Sequence, residues 1–129
     1  MNEPLWISKR AALALHGEQL LEHGGSDGIR DETLLDSALA KPQNVFAYED
    51  GADMSRLAAS YAFGIARNHA FIDGNKRTAL VVSITFLENN GWDFNASEED
   101  AYSTFLHLAE GSLSEKDLTS WFRTYAQQR

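Results

Sequence analysis

The feature that most restricts the fold is a tight loop between two helical patterns, at residues 69–77. Before the loop, Leu57, Tyr61 and Ile65 recur every four residues, which is typical of the buried stripe of a helix. One further step of four reaches His69, at the predicted end of that helix. Apolar residues cover nearly the whole circumference of the helix that follows the loop. This pattern predicts a helix buried in the middle of a bundle.

The other start and stop signals along the chain are helical too. Residue types that cap helix N-termini occur at regular intervals, at Ser8, Asp31, Asp53, Asn75, Ser97 and Ser114. The second helix is predicted to end near Lys41, because Pro42 follows it. Residues 45–48 are interpreted as a short extended piece. Together the signals predict an all-α fold: a compact bundle of six or seven helices, forming a single domain over residues 1–129.

Composition excludes several classes of protein. With 43% apolar residues, the chain can build a core without covalent cross-links. It has no cysteine, which excludes disulfides, thiolate chemistry and cysteine-based zinc sites. Neither a signal peptide nor a run of about 18 apolar residues is present, so we expect a cytoplasmic protein without a membrane span.

The charge distribution favours a small anionic ligand. The net charge of −8 disfavours direct nucleic-acid binding, which usually requires a basic surface. Residues 67–77 nevertheless carry a net charge of +2, from three cations and one acid, whereas residues 88–117 carry −7, from eight acids and one cation. A local basic spot in an acidic chain predicts a compact anion as the ligand.

The loop combines the parts of a phosphate site. A helix N-terminus has unpaired backbone N–H groups and a partial positive charge, and Asn75, Lys76 and Arg77 stand at such an end. Two cationic side chains are unfavourable there unless an anion binds. Gly74 permits a positive φ and lets a phosphate approach the backbone closely.

Two further side chains suggest the reaction. Asp73 is a hard oxygen ligand that could hold Mg²⁺ beside phosphate oxygens. His69, across the loop, can act as a general base. A base, a metal carboxylate and an anion site together favour phosphoryl or nucleotidyl transfer from a nucleoside triphosphate to a hydroxyl.

Each part taken alone has a simpler interpretation. His69 could be a helix-terminal residue interacting with the dipole, Asp73-Gly74 an ordinary turn, and Lys76-Arg77 a solvated charge pair. Only their combination at fixed spacing favours a functional site.

The other histidines are not predicted to be functional. His16 and His23 lie seven residues apart on one helix, too far apart for one metal ion, and are interpreted as surface residues. His107 is interpreted as structural.

The loop resembles the active-site motif of the Fic/Doc family, and specifically of its Doc (death-on-curing) branch, over residues 69–80. Flanking segments resemble the same branch, namely His23-Gly24-Gly25, Gly28-Ile29-Arg30-Asp31, residues 34–40 and residues 61–68. The resemblance extends from near the N-terminus to about Gly91. It implies that His69 activates the target hydroxyl and that Asp73 positions Mg²⁺. It also implies that the ATP phosphates are held by four residues, Gly74, Asn75, Lys76 and Arg77. Residues 45–48 would correspond to the short flap that aligns the protein target in this family.

Two positions distinguish between reactions within the family. AMP-transferring Fic enzymes have a glycine in place of Lys76 and a second arginine in place of Leu80. The lysine form resembles Doc, which implies transfer of the terminal phosphate of ATP to a translation factor, with elongation factor Tu as the expected target. AMP transfer is the alternative within the same chemical class.

The resemblance also implies a toxin that is held inactive by a partner. Self-inhibited Fic proteins carry a helix with Ser or Thr four residues before an acid and then Gly or Asn, and this spacing is absent here. We therefore expect inhibition by a separate Phd-like antitoxin. A non-catalytic module that binds an antitoxin or a nucleotide is the alternative from another class.

Overall fold

Six helices and two short strands account for most of the chain, and the computed structural model describes all residues 1–129. In chain order the elements are α1 (Lys9–His23), α2 (Glu32–Tyr48), α3 (Met54–Asn68), α4 (Asn75–Asn89), β1 (Trp92–Phe94), α5 (Glu98–Glu110), α6 (Glu115–Tyr125) and β2 (Ala126–Gln128). The predicted all-α class and helix number are confirmed. No helix combines the length and the apolar character that crossing a membrane requires.

Five of the six helices begin at a predicted capping residue. In each, the side-chain oxygen accepts a hydrogen bond from the backbone N–H three residues further on, at Ser8, Asp31, Asp53, Ser97 and Ser114. The exception is α4, which is capped by Gly74 and not by Asn75. Local side-chain chemistry therefore determines most helix starts in this chain.

Helix α3 lies at the centre of the bundle. Ten of its fifteen residues are buried, including the predicted stripe Leu57, Tyr61 and Ile65. It packs against α2, α4, α5 and α6. The prediction that α4 is buried on all sides is wrong, because Leu80 and Ile84 line an open groove between α4 and α5. This groove accounts for the apolar residues around the circumference of α4.

The predicted end of α2 near Lys41 is also wrong. The helix continues through Pro42 to Tyr48, and Glu49 N–H donates to Val45 O at its end. A proline inside a helix costs about 3 kcal/mol. Here its ring is buried on the face that also buries Leu35 and two further apolar residues. Burying one large apolar side chain contributes about 1.5–3 kcal/mol, so the burial of Leu35 and Leu39 together with Pro42 offsets the local penalty.

No extended flap forms at residues 45–48, because they make the last turn of α2. Val45 and Phe46 pack against the core, and Tyr48 is 87% exposed. Helical spacing explains the mixture of apolar and polar residues that was interpreted as a flap. The short sheet, in contrast, was not predicted: β1 and β2 pair antiparallel, with Trp92 opposite Gln128. Strands of three residues are too short to show an alternating pattern.

The N-terminal segment is fixed to the core by one buried hydrogen bond. Ile7 N–H donates to the Tyr61 hydroxyl at 2.9 Å, and both residues are buried. Burial raises the pKa of Tyr61 to about 12, so the phenol remains neutral.

We expect Tyr61→Phe to destabilise the fold by about 1–3 kcal/mol, because it leaves the buried Ile7 N–H without an acceptor. Urea denaturation gives the free energy of unfolding. Tyr48→Phe is the matched control, since it removes a hydroxyl from an exposed ring. Equal stability of the two variants would contradict this account.

Candidate active site

The junction of α3 and α4 forms an open pocket of about 370 Å³. All six residues nominated from the sequence line it: His69, Asp73, Gly74, Asn75, Lys76 and Arg77. The structure therefore brings together the proposed base, the proposed metal carboxylate and the proposed phosphate-binding residues. They come from one continuous segment, so the geometry of that segment determines what the pocket can do.

His69 ends α3 in a left-handed conformation, with φ 49° and ψ 48°. It is the one residue other than glycine with a positive φ. A continued helix would have directed the imidazole along the buried stripe of α3. The left-handed turn instead leaves His69 exposed at the pocket. Because this conformation costs an L-residue about 1–2 kcal/mol, other contacts must hold it.

Arg30 supplies part of that support. Its Nε donates to His69 O at 2.6 Å, and its Nη2 donates to Asn68 O at 3.1 Å. These carbonyls lie at the C-terminal end of α3, where unpaired acceptors and a partial negative charge favour a cation. Sequence reasoning did not identify Arg30 as part of the site. Its contribution depends on contacts between residues almost 40 positions apart.

The connection between α1 and α2, which we call the α1–α2 strap (residues 24–31), runs along the site loop. Arg30 and Asp31 N–H both donate to Ala70 O, at 2.7 and 3.0 Å. Ile72 N–H donates to Gly28 O at 3.1 Å. Phe71 is buried, whereas Ile72 is 55% exposed. The loop is thus held mainly by its backbone.

The Asp73 carboxylate is oriented by two backbone N–H groups. Oδ1 accepts from Gly74 at 2.9 Å, and Oδ2 accepts from Ser26 at 3.2 Å. A Cβ atom at Gly25 would lie 2.9 Å from Oδ2, so the close approach of the strap requires glycine there.

The donor set fits Mg²⁺ only together with phosphate oxygens. No group of three His, Asp or Glu side chains that could hold a metal ion is present. Mg²⁺ typically takes one or two protein carboxylates and completes its shell with phosphate oxygens and water. The exposed Asp73 carboxylate meets that requirement.

The N-terminus of α4 has free donors and no side-chain cap. Gly74 is the capping residue, with φ 76°, and the first helical hydrogen bond runs from Thr78 N–H to Gly74 O. The N–H groups of residues 75–77 precede it and have no helical acceptor. The Asn75 side chain instead accepts from Phe71 N and donates to Phe71 O, both at 2.9 Å. Its amide therefore braces the loop, and its backbone N–H remains for an anion.

Lys76 and Arg77 add positive charge with no carboxylate within ion-pair distance. Neither forms an ion pair, although lysine and arginine side chains form seven such pairs elsewhere in the structure. Lys76 Nζ lies 4.8 Å from the centre of the Tyr102 ring, and Arg77 is exposed. Uncompensated cations at a helix N-terminus oppose the dipole, and a bound anion would relieve that conflict.

The prediction that His16 lies at the surface is wrong. Its side chain is 3% exposed and contacts the site loop, whereas His23 is exposed as expected. His107, which was interpreted as structural, is also exposed. The spacing of His16 and His23 indicated only that they share a helix. It could not show which part of that helix the site loop covers.

Comparison with known proteins identifies relatives of this chain. The sequence model of the Fic/DOC family matches residues 6–87. The chain is 33% identical to "Protein kinase doc" of Escherichia phage P1 over 117 residues, which cover 91% of this chain and 92% of that protein. It is 45% identical to "Toxin Doc" of Mycolicibacterium smegmatis over 69 residues, which cover 53% of each chain.

We expect Asn75→Ala to loosen the site loop. Without the amide, the buried Phe71 loses the partner of both its backbone groups, which should cost about 1–3 kcal/mol. Thermal unfolding and hydrogen exchange at the Phe71 amide measure the effect. Asn89→Ala, at an exposed position near the end of the same helix, is the control. Unchanged protection of the Phe71 amide would show that Asn75 does not brace the loop.

Proposed function

Because the chain belongs to the Doc branch of the Fic/DOC family, as the sequence predicted, we propose that it is the toxin of a toxin–antitoxin pair. In this proposal it transfers the terminal phosphate of ATP to a hydroxyl of a translation factor in the cytoplasm. The observation that carries the proposal is the uncompensated positive end of α4, where Lys76 and Arg77 face the same pocket as His69. A nucleotide supplies the anion that this end lacks.

The polar residues of the pocket have separate roles in this reaction. The His69 imidazole takes the proton from the target hydroxyl as its oxygen bonds to the γ-phosphorus. The bond from that phosphorus to the bridging oxygen of ADP breaks, and ADP leaves. Lys76, Arg77 and the N–H groups of residues 75–77 hold the phosphates in line. Asp73 would hold Mg²⁺, which supplies charge neutralisation when bound.

The residues at positions 76 and 80 favour phosphate transfer over AMP transfer. AMP-transferring Fic enzymes have an arginine in place of Leu80. In this chain Leu80 is half-buried and lines the apolar wall of the groove between α4 and α5, with Val81 and Ile84. This wall offers no second guanidinium for a phosphate, whereas Lys76 adds a cation at the pocket itself. The name of the phage relative, a protein kinase, agrees with this choice.

The partners follow from the family. We propose elongation factor Tu as the target and a Phd-like antitoxin as the inhibitor. The groove between α4 and α5, about 480 Å³ in volume, shares Lys76 and Arg77 with the pocket. Its apolar wall is suited to the apolar face of an antitoxin helix, which would cover both cations and so exclude ATP.

The first test compares ATP labelled at the γ or the α position, with Mg²⁺ and purified elongation factor Tu. We expect transfer of the γ label alone. His69→Ala should abolish it, whereas His107→Ala, a control at another exposed histidine, should not.

Transfer of the α label would instead establish AMP transfer. If neither label reached elongation factor Tu or any protein of a cell lysate, the chain would be a non-catalytic binding module.

A second test concerns toxicity. Induced expression of the chain alone should arrest growth, and His69→Ala should grow normally, since it keeps the fold but lacks the base. Co-expression of the cognate antitoxin should restore growth. Colony counts after induction measure both effects, and unhindered growth with the unsubstituted chain alone would contradict the toxin role.

A further inference from the structure

His16 contacts the site loop although it lies on another helix and 57 residues before Asp73. It belongs to α1, and its side chain is 3% exposed. Histidine is seldom fully buried without a specific polar partner. The environment of the ring therefore has to explain why a histidine is buried beside the pocket.

The imidazole makes one polar contact with the loop. Its Nε2 lies 2.9 Å from Asp73 O. Because a carbonyl oxygen can only accept, Nε2 carries the proton and donates it. All three oxygens of Asp73 then have a partner, since the two carboxylate oxygens accept from Gly74 and Ser26. The residue proposed to hold the metal is thus fixed at both its backbone and its side chain.

The same ring also packs on the loop. It stacks on Phe71 with ring centres 3.8 Å apart and an angle of 8° between the planes. A Cβ atom at Gly74 would lie 3.7 Å from two ring atoms, so the ring also approaches the N-terminus of α4. His16 therefore contacts the loop at the Phe71 ring and at the backbone carbonyl of Asp73, and its ring lies close to Gly74, where α4 begins.

We propose that His16 is a positioning residue for the transfer reaction: it fixes the direction of the Asp73 carboxylate relative to the N-terminus of α4. The inference deepens the proposed function and rests on it. The contacts require both a flat ring, which stacks on Phe71, and an N–H donor, which reaches Asp73 O. Histidine provides both, whereas phenylalanine keeps only the ring and glutamine only the donor.

His16→Phe tests the donor separately from the packing. We expect it to fold, to stack on Phe71 and to lose the hydrogen bond to Asp73 O. The Mg²⁺ concentration for half-maximal transfer should rise and kcat should fall, by roughly 10- to 100-fold together, as for other residues that orient a metal ligand. KM for the protein target should not change, because His16 does not line the pocket. His16→Gln keeps an N–H donor and should recover part of the loss. If His16→Phe fails to fold, the same measurements are made on His16→Gln, which lacks the ring that stacks on Phe71.

A second readout does not depend on transfer. The Ser26 and Gly74 N–H groups are held by the Asp73 carboxylate, so their hydrogen exchange, followed by NMR, should accelerate in His16→Phe. The Phe71 amide, held by Asn75, is the internal control.

Unchanged exchange at Ser26 and Gly74, together with unchanged Mg²⁺ dependence, would show that His16 only fills the core. If the unsubstituted chain transferred no phosphate while exchange still accelerated in His16→Phe, the proposed function would fail, but the orientation of the Asp73 carboxylate by His16 would stand.

Discussion

The left-handed turn at His69 is the constraint on which the rest of the site depends. It ends α3, exposes the imidazole and lets the chain return as α4 against the same helix. The strain of about 1–2 kcal/mol is comparable to one or two net hydrogen bonds. Arg30 provides two such bonds to the end of α3, and Ala70 O accepts two more from the α1–α2 strap. The turn is therefore stable only where the strap lies beside it.

The N-terminus of α4 places two cationic side chains at the positive end of a helix dipole, and no side-chain cap or ion pair compensates for this. Asn75, a residue type suited to capping, uses its amide on Phe71, and Gly74 has no side chain to cap the helix. Lys76 and Arg77 then oppose the dipole without a compensating carboxylate. The other five helices have a side-chain cap, and three of them, α2, α5 and α6, also have acids in the first turn. Helix α4 is the one helix with neither a side-chain cap nor an acid in its first turn. Such an exception at the pocket is what a built anion site would produce.

Helix starts, the central stripe and the site segment could be predicted because each depends on residues close in sequence. Serine and aspartate caps act over three residues, and the six nominated residues lie within residues 69–77. The errors concern contacts between distant residues. Pro42 remains in α2 because its ring is buried, and His16 is buried because the site loop covers it. The sheet of β1 and β2 joins residues more than 30 positions apart, so no local sequence pattern predicts it.

The reacting groups lie close together in sequence, whereas the groups that hold them are distant in sequence. The motif contains the base, the carboxylate and the cations in one segment, but none of these residues fixes the backbone of that segment alone. Orientation comes from His16, from Arg30 and from the backbone of the strap, between 39 and 57 residues earlier in the chain. A motif match therefore identifies which chemistry is available, whereas the strap and α1 determine whether the groups are aligned for it. In a chain with the same motif but a larger residue in place of Gly25, the added Cβ atom would lie 2.9 Å from the carboxylate oxygen, so the strap could not approach Asp73 as closely without a clash.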